Sequence, residues 1–301
     1  MAIITPALLL SLRTGMSSIF QSSLRDTPTH WAKIATLVPS STSSNTYGWL
    51  GQFPQLREWV GPRVVKDMAA SGYSLTNKLY EGTVSVSRVD IEDDNIGIYT
   101  PMMQEMGRAT ATHPDELVFA LLAAGHSTLC HDGQNFFDTD HPVYPNVDGT
   151  GTAATVSNVQ SGTDPAWYLL DTSRPLKPLI FQERTKPEIE AMTATNDESV
   201  FTTDTYRYGV RYRCNAGFGF WQMAYKSKAA LTKVNFDAAR AAMELLTADG
   251  GRPLGISPTL LVVPPDLRSA AQELILAQQS PNGATNTNYK AVDLLVCPWL
   301  R

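Results

Sequence analysis

The spacing of hydrophobic and polar positions changes several times along the chain. Over residues 6–24, Leu9, Leu12, Met16, Ile19, Phe20 and Ser23 recur at helical spacing, predicting an N-terminal helix that Asp26-Thr27-Pro28 ends. Its far side is Ser, Gln and Thr rather than charge. Such a helix is weak alone in water and needs a surface to lie against. Over residues 31–88 short β-like runs take over, at 63–68, 73–78 and 80–87. In the last, Val84 and Val86 share one face, while Thr83, Ser85 and Ser87 share the other. A hairpin with so few bulky apolar residues has no core of its own and is expected to project onto another surface, such as a neighbouring subunit.

Residues 90–142 organise the chain. They open on the acids Asp90, Glu92, Asp93 and Asp94 and close on the loop Cys130-His131-Asp132-Gly133-Gln134-Asn135-Phe136-Phe137-Asp138-Thr139-Asp140-His141-Pro142. Between them lies a helical pattern interrupted by Pro114. It predicts two pieces. The first, about 97–112, has Pro101 in its first turn; the second has Thr112 as cap, Pro114 at the first position, and Asp115 and Glu116 facing the positive helix end. Leu117-Val118-Phe119-Ala120-Leu121-Leu122-Ala123-Ala124 is apolar on every face, so this spine is expected to be buried.

Residues 146–164 read as a flexible loop or weak hairpin, and 166–171, 178–184 and 206–214 as strands. A short helix is expected to end at Ser227. The last third has α/β texture: a helix capped by Asn235, an apolar strand at 259–263, a helix to Gln278 and a buried strand at 292–297.

Composition narrows the class. Of 301 residues 43% are hydrophobic, ample for a core, and only 18% are charged, which suits a loop-rich mixed protein better than a bundle. A net charge of −5 argues against a dedicated nucleic-acid reader. Ten acids face one base between Val89 and Asp140, whereas ten bases face six acids between Arg174 and Lys233. This asymmetry suits copies meeting acidic face to basic face, or two solvated surfaces. Three dispersed cysteines without CxxC spacing fit a reducing cytosol rather than a disulfide framework. No segment reads as a signal peptide or membrane span, so the chain is expected to be soluble and intracellular when made.

The strongest candidate chemistry is His126, Cys130, His131, Asp132, Asp138, Asp140 and His141, which mixes possible zinc ligands. The spacing is not that of HExxH or CxxC modules, and Asp138-Thr139-Asp140 is a DxD without a nucleotide signature. Local Asx turns and an extended exit at His141-Pro142 account for the same residues. No GxSxG elbow supports a serine triad. Trp49, Trp59 and Tyr80 could stack bases, but packing at the hairpin base is the plainer role.

Several segments together resemble the major head (capsid) subunit of Mu-like phages and prophages. They are Lys33-Ile-Ala-Thr-Leu-Val-Pro39, Tyr47-Gly-Trp-Leu-Gly51, Arg57-Glu-Trp-Val-Gly61, Val89-Asp-Ile-Glu-Asp-Asp94, His113-Pro-Asp-Glu-Leu117 and Phe136-Phe-Asp-Thr-Asp-His-Pro142. In the C-terminal half, Thr259-Leu-Leu-Val-Val-Pro-Pro265 is the best match.

The resemblance implies an α+β tailed-phage capsid fold of Hong Kong 97 type. Its parts would be an N-terminal arm (1–45), an extended E-loop hairpin (46–90), a β-rich peripheral domain with the spine helix (91–232) and the bulk of an axial domain (233–301). It implies a non-enzymatic subunit, without cofactor or metal, that self-assembles through pentamers and hexamers into an icosahedral head around double-stranded DNA. Scaffold, protease and portal would be separate proteins, since no charged scaffolding segment precedes the arm. The virion capsid would be its destination and the bacterial cytoplasm its place of synthesis. Expected inter-subunit contacts are Trp59, Arg63, Lys78, Tyr80, Arg88, Glu92, Asp93 and Asp94. Phe136, Asp138, Asp140 and His141 would form a structural loop. The alternatives are an encapsulin-like cargo shell of the same fold and a metal-dependent enzyme centred on the loop from His126 to His141.

Overall fold

The computed structural model describes residues 6–51, 72–92, 96–194, 197–280 and 283–300. Its axis is α4 (Thr100–Ala124), one unbroken helix of 25 residues and roughly 37 Å. The two pieces expected on either side of Pro114 are therefore a single element. Proline removes one backbone hydrogen bond and crowds the preceding turn. Here Pro114 is itself buried, and packing on both sides holds the helix through it. Asp115 accordingly lies in mid-helix rather than at a helix start.

Helix α4 bridges two cores. Its N-terminal half places Met103 among Met16, Phe20, Val86, Tyr206, Tyr208 and Val210. Its C-terminal half places Val118, Phe119 and Leu122 in the larger core with Ile34, Phe136 and Trp167. The expectation of burial on every face holds only in part: Ala120 is exposed, and Leu117 and Leu121 are half-buried. The N-terminal helix α1 (Pro6–Asp26) lies along α4 through Met16 and Phe20, so its own chain supplies the surface it needs.

Against α4 packs a four-stranded sheet in the order β1-β9-β10-β4. Its strands are β1 (Ala35–Pro39), β4 (Lys78–Ser87), β9 (Leu179–Met192) and β10 (Thr205–Phe218). Tyr206, Tyr208, Val210, Tyr212 and Cys214 alternate inward, the period-2 pattern legible in the sequence. Strand β4 pairs with β10 from Ser87↔Thr205 to Lys78↔Cys214. The run at 80–87 is thus an edge strand of this sheet, not an arm of a free hairpin. The paired base of the hairpin is β2 (Ser44–Thr46) against β3 (Ser74–Thr76). The expected strand at 63–68 lies outside the described residues.

A second sheet, of order β13-β12-β8-β11-β7, forms the other end. It contains β7 (Val159–Gln160), β8 (Trp167–Leu170), β11 (Ala224–Ser227), β12 (Leu260–Val263) and β13 (Asp293–Val296). It draws strands from both sides of residue 232. Helices α6 (Lys233–Glu244) and α7 (Arg268–Leu276) bury Phe236, Ala239 and Met243, and Ala271, Leu274 and Ile275. The α6 cap is Thr232, whose hydroxyl accepts from Asn235 N at 3.4 Å, rather than Asn235. The helix expected to end at Ser227 is instead a single turn, Trp221–Met223, leading into β11. β5 (His141–Val143) and β6 (Ala154–Val156) form a separate hairpin, so the stretch 146–164 read as a loop or weak hairpin supplies one of its strands, β6, and gives β7 to the second sheet.

Candidate functional site

Of the expected contact residues, Lys78 and Tyr80 lie on edge strand β4, and Arg88 and Glu92 lie in the short helix that follows it. Lys78 is exposed at the start of edge strand β4. Tyr80 is half-buried, 4.2 Å edge-on from the His113 ring, and burial raises its phenol pKa. Arg88 opens α3 (Arg88–Glu92) and pairs with Asp204 at 3.6 Å, while Asp90 accepts the hydroxyl of Tyr99. Glu92 ends the same helix. Trp59, Arg63, Asp93 and Asp94 lie outside the described residues.

The histidine-rich loop separates what the sequence grouped. Gly125 closes α4, where an added Cβ would sit 2.7 Å from the Phe137 ring. The chain must therefore turn tightly there, and His126, with Nδ1 2.9 Å from Ala123 O, stays outside on the surface. Phe136 is fully buried and stacks on Phe218 at 4.3 Å. Asp138 accepts from Asn135 Nδ2 at 3.0 Å and from Thr139 N at 2.8 Å, the Asx-type local bonding that a DxD readily makes. Burial alone would raise the Asp138 pKa, but these bonds hold it down; the neighbouring Asp140 is raised by sharing a hydrogen bond with Asp138.

Cys130, Asp132 and His141 do converge, with one ligand-type atom of each within 4.8 Å of the others. His141 is fully buried, its ring stacked 3.9 Å from Trp221. Its Nδ1 lies 2.7 Å from Asp132 Oδ2, and Asp132 Oδ1 accepts from Cys130 Sγ at 3.0 Å and from Gln134 N at 3.1 Å. Burial opposes the Asp132 charge, yet these partners pull its pKa down to about 2. Burial pushes the Cys130 thiol far up, and the Asp132 carboxylate adds to it. Burial and the neighbouring carboxylate thus favour the protonated thiol, which donates to Asp132. The trio acts as a hydrogen-bonded clasp that closes the loop over Phe136.

Other structural residues gave no sequence signal of their role. The Asn158 side chain donates to Phe136 O at 2.8 Å and accepts from Asp138 N at 2.9 Å, tying β7 to the loop. Gln182 joins Tyr47, Leu75 and Asn77 under the hairpin base. Each is one polar residue in an otherwise ordinary run.

Spine, flanking arm, paired hairpin base and two sheets make the tailed-phage major capsid fold of Hong Kong 97 type. A solved structure of the bacteriophage JBD30 procapsid matches at TM-score 0.89 and 62% identity, covering 99% of this chain and 100% of that one. The family model of the Mu-like prophage major head subunit gpT matches residues 9–300, and the chain belongs to that family. The major capsid protein of Escherichia phage Mu is 50% identical over 289 residues, 95% of each chain. The Mu-like prophage FluMu major head subunit of Haemophilus influenzae is 48% identical over 280 residues, 91% of each. The chain is a major capsid subunit, of which many copies build a phage head. The matches give no support to a cargo shell or a metal-dependent enzyme.

Proposed function

We propose that copies of this chain associate as pentamers and hexamers, close into the head and surround double-stranded DNA without reading its sequence. The observation that carries this is the capsid fold over nearly the whole chain. A net charge of −5 fits a wall that encloses DNA without gripping it. In this reading the subunit performs no catalysis, and scaffold, protease and portal are separate proteins. Synthesis occurs in the bacterial cytoplasm and the mature destination is the virion. Residues 1–45 serve as arm, 46–90 as the overlapping hairpin segment, 91–232 as peripheral domain and 233–301 as the bulk of the axial domain, joined by β7, β8 and β11. The margin carrying Lys78, Tyr80, Arg88 and Glu92, with Trp59, Arg63, Asp93 and Asp94, contributes to inter-subunit contact, and the loop of Phe136, Asp138, Asp140 and His141 is structural.

The test is light scattering and electron microscopy of the purified chain. Capsomers that close into shells are expected. A stable monomer or small dimer carrying stoichiometric zinc would overturn the reading.

A further inference from the structure

The side chains of Cys130, Asp132 and His141 are held in place from both ends of their loop. Cys130 N donates to Gln134 O at 2.8 Å and Gly133 N to Cys130 O at 3.3 Å, with Gly133 at φ 85°, where a side chain would be strained. This tight turn carries Cys130 and Asp132 to one place. His141 reaches the same place as the first residue of β5. Trp221, stacked 3.9 Å from its ring, fixes the ring plane. His141 is fully buried, and its Nε2 has no hydrogen-bond partner among the described residues. The polar chemistry of the ring is therefore directed through Nδ1 at Asp132.

A hydrogen-bonded clasp does not need sulfur, and a thiol is a weak donor for one. What the three side chains share is that each offers a metal-ligand atom: a sulfur, a carboxylate oxygen and an imidazole nitrogen. These atoms lie within 4.8 Å of one another. Zinc, with bonds of ~2.0–2.3 Å, spaces tetrahedral ligands by roughly 3.3–3.7 Å. The 2.7 Å between Asp132 Oδ2 and His141 Nδ1 has to open by about an ångström or less to admit it. Gln134 N holds Asp132 Oδ1 at 3.1 Å and so orients the carboxylate with Oδ2 free for the ion. A thiolate and a carboxylate together carry two negative charges, so a divalent cation leaves the buried site neutral. The Asp132 side chain is 13% exposed, a way in for the ion and for a water as fourth ligand.

We propose that Cys130 Sγ, Asp132 Oδ2 and His141 Nδ1 bind a zinc ion that staples the chain just after α4 to β5. The hydrogen-bonded clasp is the metal-free form of the same site. On binding, the thiol proton leaves to solvent, the sulfur bonds zinc as a thiolate, and the single imidazole proton sits on Nε2. The ion is structural and carries out no reaction. The site departs from the metal-free subunit that the family resemblance implies, and it does not depend on how copies assemble.

The test uses the full chain and Cys130→Ser, each equilibrated with Zn²⁺ in reducing buffer and desalted. Serine keeps a hydroxyl to donate to Asp132, so it preserves the clasp and removes only the thiolate. Elemental analysis should find about one zinc per parent chain, and Cys130→Ser should bind it about tenfold more weakly or worse. Cobalt in place of zinc should give the parent a sulfur-to-metal charge-transfer absorption that Cys130→Ser lacks. A chelator should lower the melting temperature of the parent and leave that of Cys130→Ser unchanged. Less than about a tenth of a zinc per parent chain, equal zinc in Cys130→Ser, or cobalt bound without the sulfur absorption would overturn the proposal. If Cys130→Ser fails to fold, the zinc content and cobalt spectrum of the parent decide alone. Zinc in chains that build shells leaves the capsid reading standing; zinc in a chain that stays monomeric supports this site and removes that reading.

Discussion

Asp115, buried in the middle of α4, accepts the backbone N–H of Trp31 at 2.6 Å. The same carboxylate takes His30 N at 2.9 Å, and Trp299 adds a side-chain hydrogen bond. One spine residue thus supplies the N-terminal cap that α2 (Trp31–Ile34) lacks from its own sequence and fastens the chain's C-terminal end nearby. Capping a helix from a distant element fixes where the arm meets the body.

Replacing this carboxylate should be costly. Asp115→Ala leaves two backbone donors without an acceptor, and the expected loss is about 3 kcal/mol in urea unfolding of the unassembled subunit. Asp115→Asn should lose less, because its amide oxygen still accepts one of them. Equal stability of Asp115→Ala and the parent would show that the cap carries no weight.

The clasp predicts an acid limit. Asp132 has its pKa lowered from 3.8 to about 2 in the fold, so the folded state favours its charged form. That contribution is complete above the unfolded pKa, near 4, and is lost as pH falls through about 2; it amounts to about 2 kcal/mol. Acid titration followed by circular dichroism should show the parent weakening across this window. Asp132→Asn should be less stable at pH 7 by about the same amount and flatter below pH 4.

What could be read in advance follows from how local each signal is. The inward alternation of Tyr206, Tyr208, Val210 and Tyr212 lies within one strand, and so does the apolar run of β12; both were legible. The continuity of α4 through Pro114 was not, because burial on both sides overrides the proline and comes from residues far along the chain. Strand β4 has the local pattern of a free hairpin arm because its partner, β10, begins more than a hundred residues later. His126, Cys130, His131, Asp132, Asp138, Asp140 and His141 form one cluster in sequence. The tight turn at Gly125 and the local bonds of Asp138 leave, among the described residues, Cys130, Asp132 and His141 together.

Gly107 sets the approach of the arm to the spine. A Cβ there would lie 2.6 Å from Phe20 O and 2.8 Å from Ser23 Cβ, so the α1 backbone sits against α4 where a side chain would be. Ser23 Oγ confirms the closeness by donating to Gln104 O at 2.6 Å. Gly107→Val should push the two helices apart at a cost of about 1–3 kcal/mol. Limited proteolysis should then cut within residues 6–26 first while the sheets remain protected. Unchanged cleavage would mean that α1 shifts along α4 without loss.

Gln182 holds the hairpin base from beneath. It is fully buried on β9, accepts the Tyr47 hydroxyl at 2.6 Å, and donates to Leu75 O at 3.0 Å and Asn77 Oδ1 at 2.8 Å. Burial pushes the Tyr47 phenol up to about 12, so it stays a donor at any physiological pH. An amide is the one side chain of this size that both accepts from Tyr47 and donates to the other two. Gln182→Met removes all three bonds at about 2 kcal/mol or more, because their partners stay buried. Hydrogen exchange should quicken at Tyr47 N and Asn77 N, which close the β2–β3 pair onto Tyr73 O and Ser43 O. Gln182→Glu should be worse at pH 7: it keeps the bond from Tyr47, faces two acceptors with a carboxylate and buries a charge. Lowering the pH should narrow its deficit, since a protonated carboxyl regains one donor. If Gln182→Glu is instead the milder change at pH 7, acceptance from Tyr47 carries the site and the two donated bonds add little.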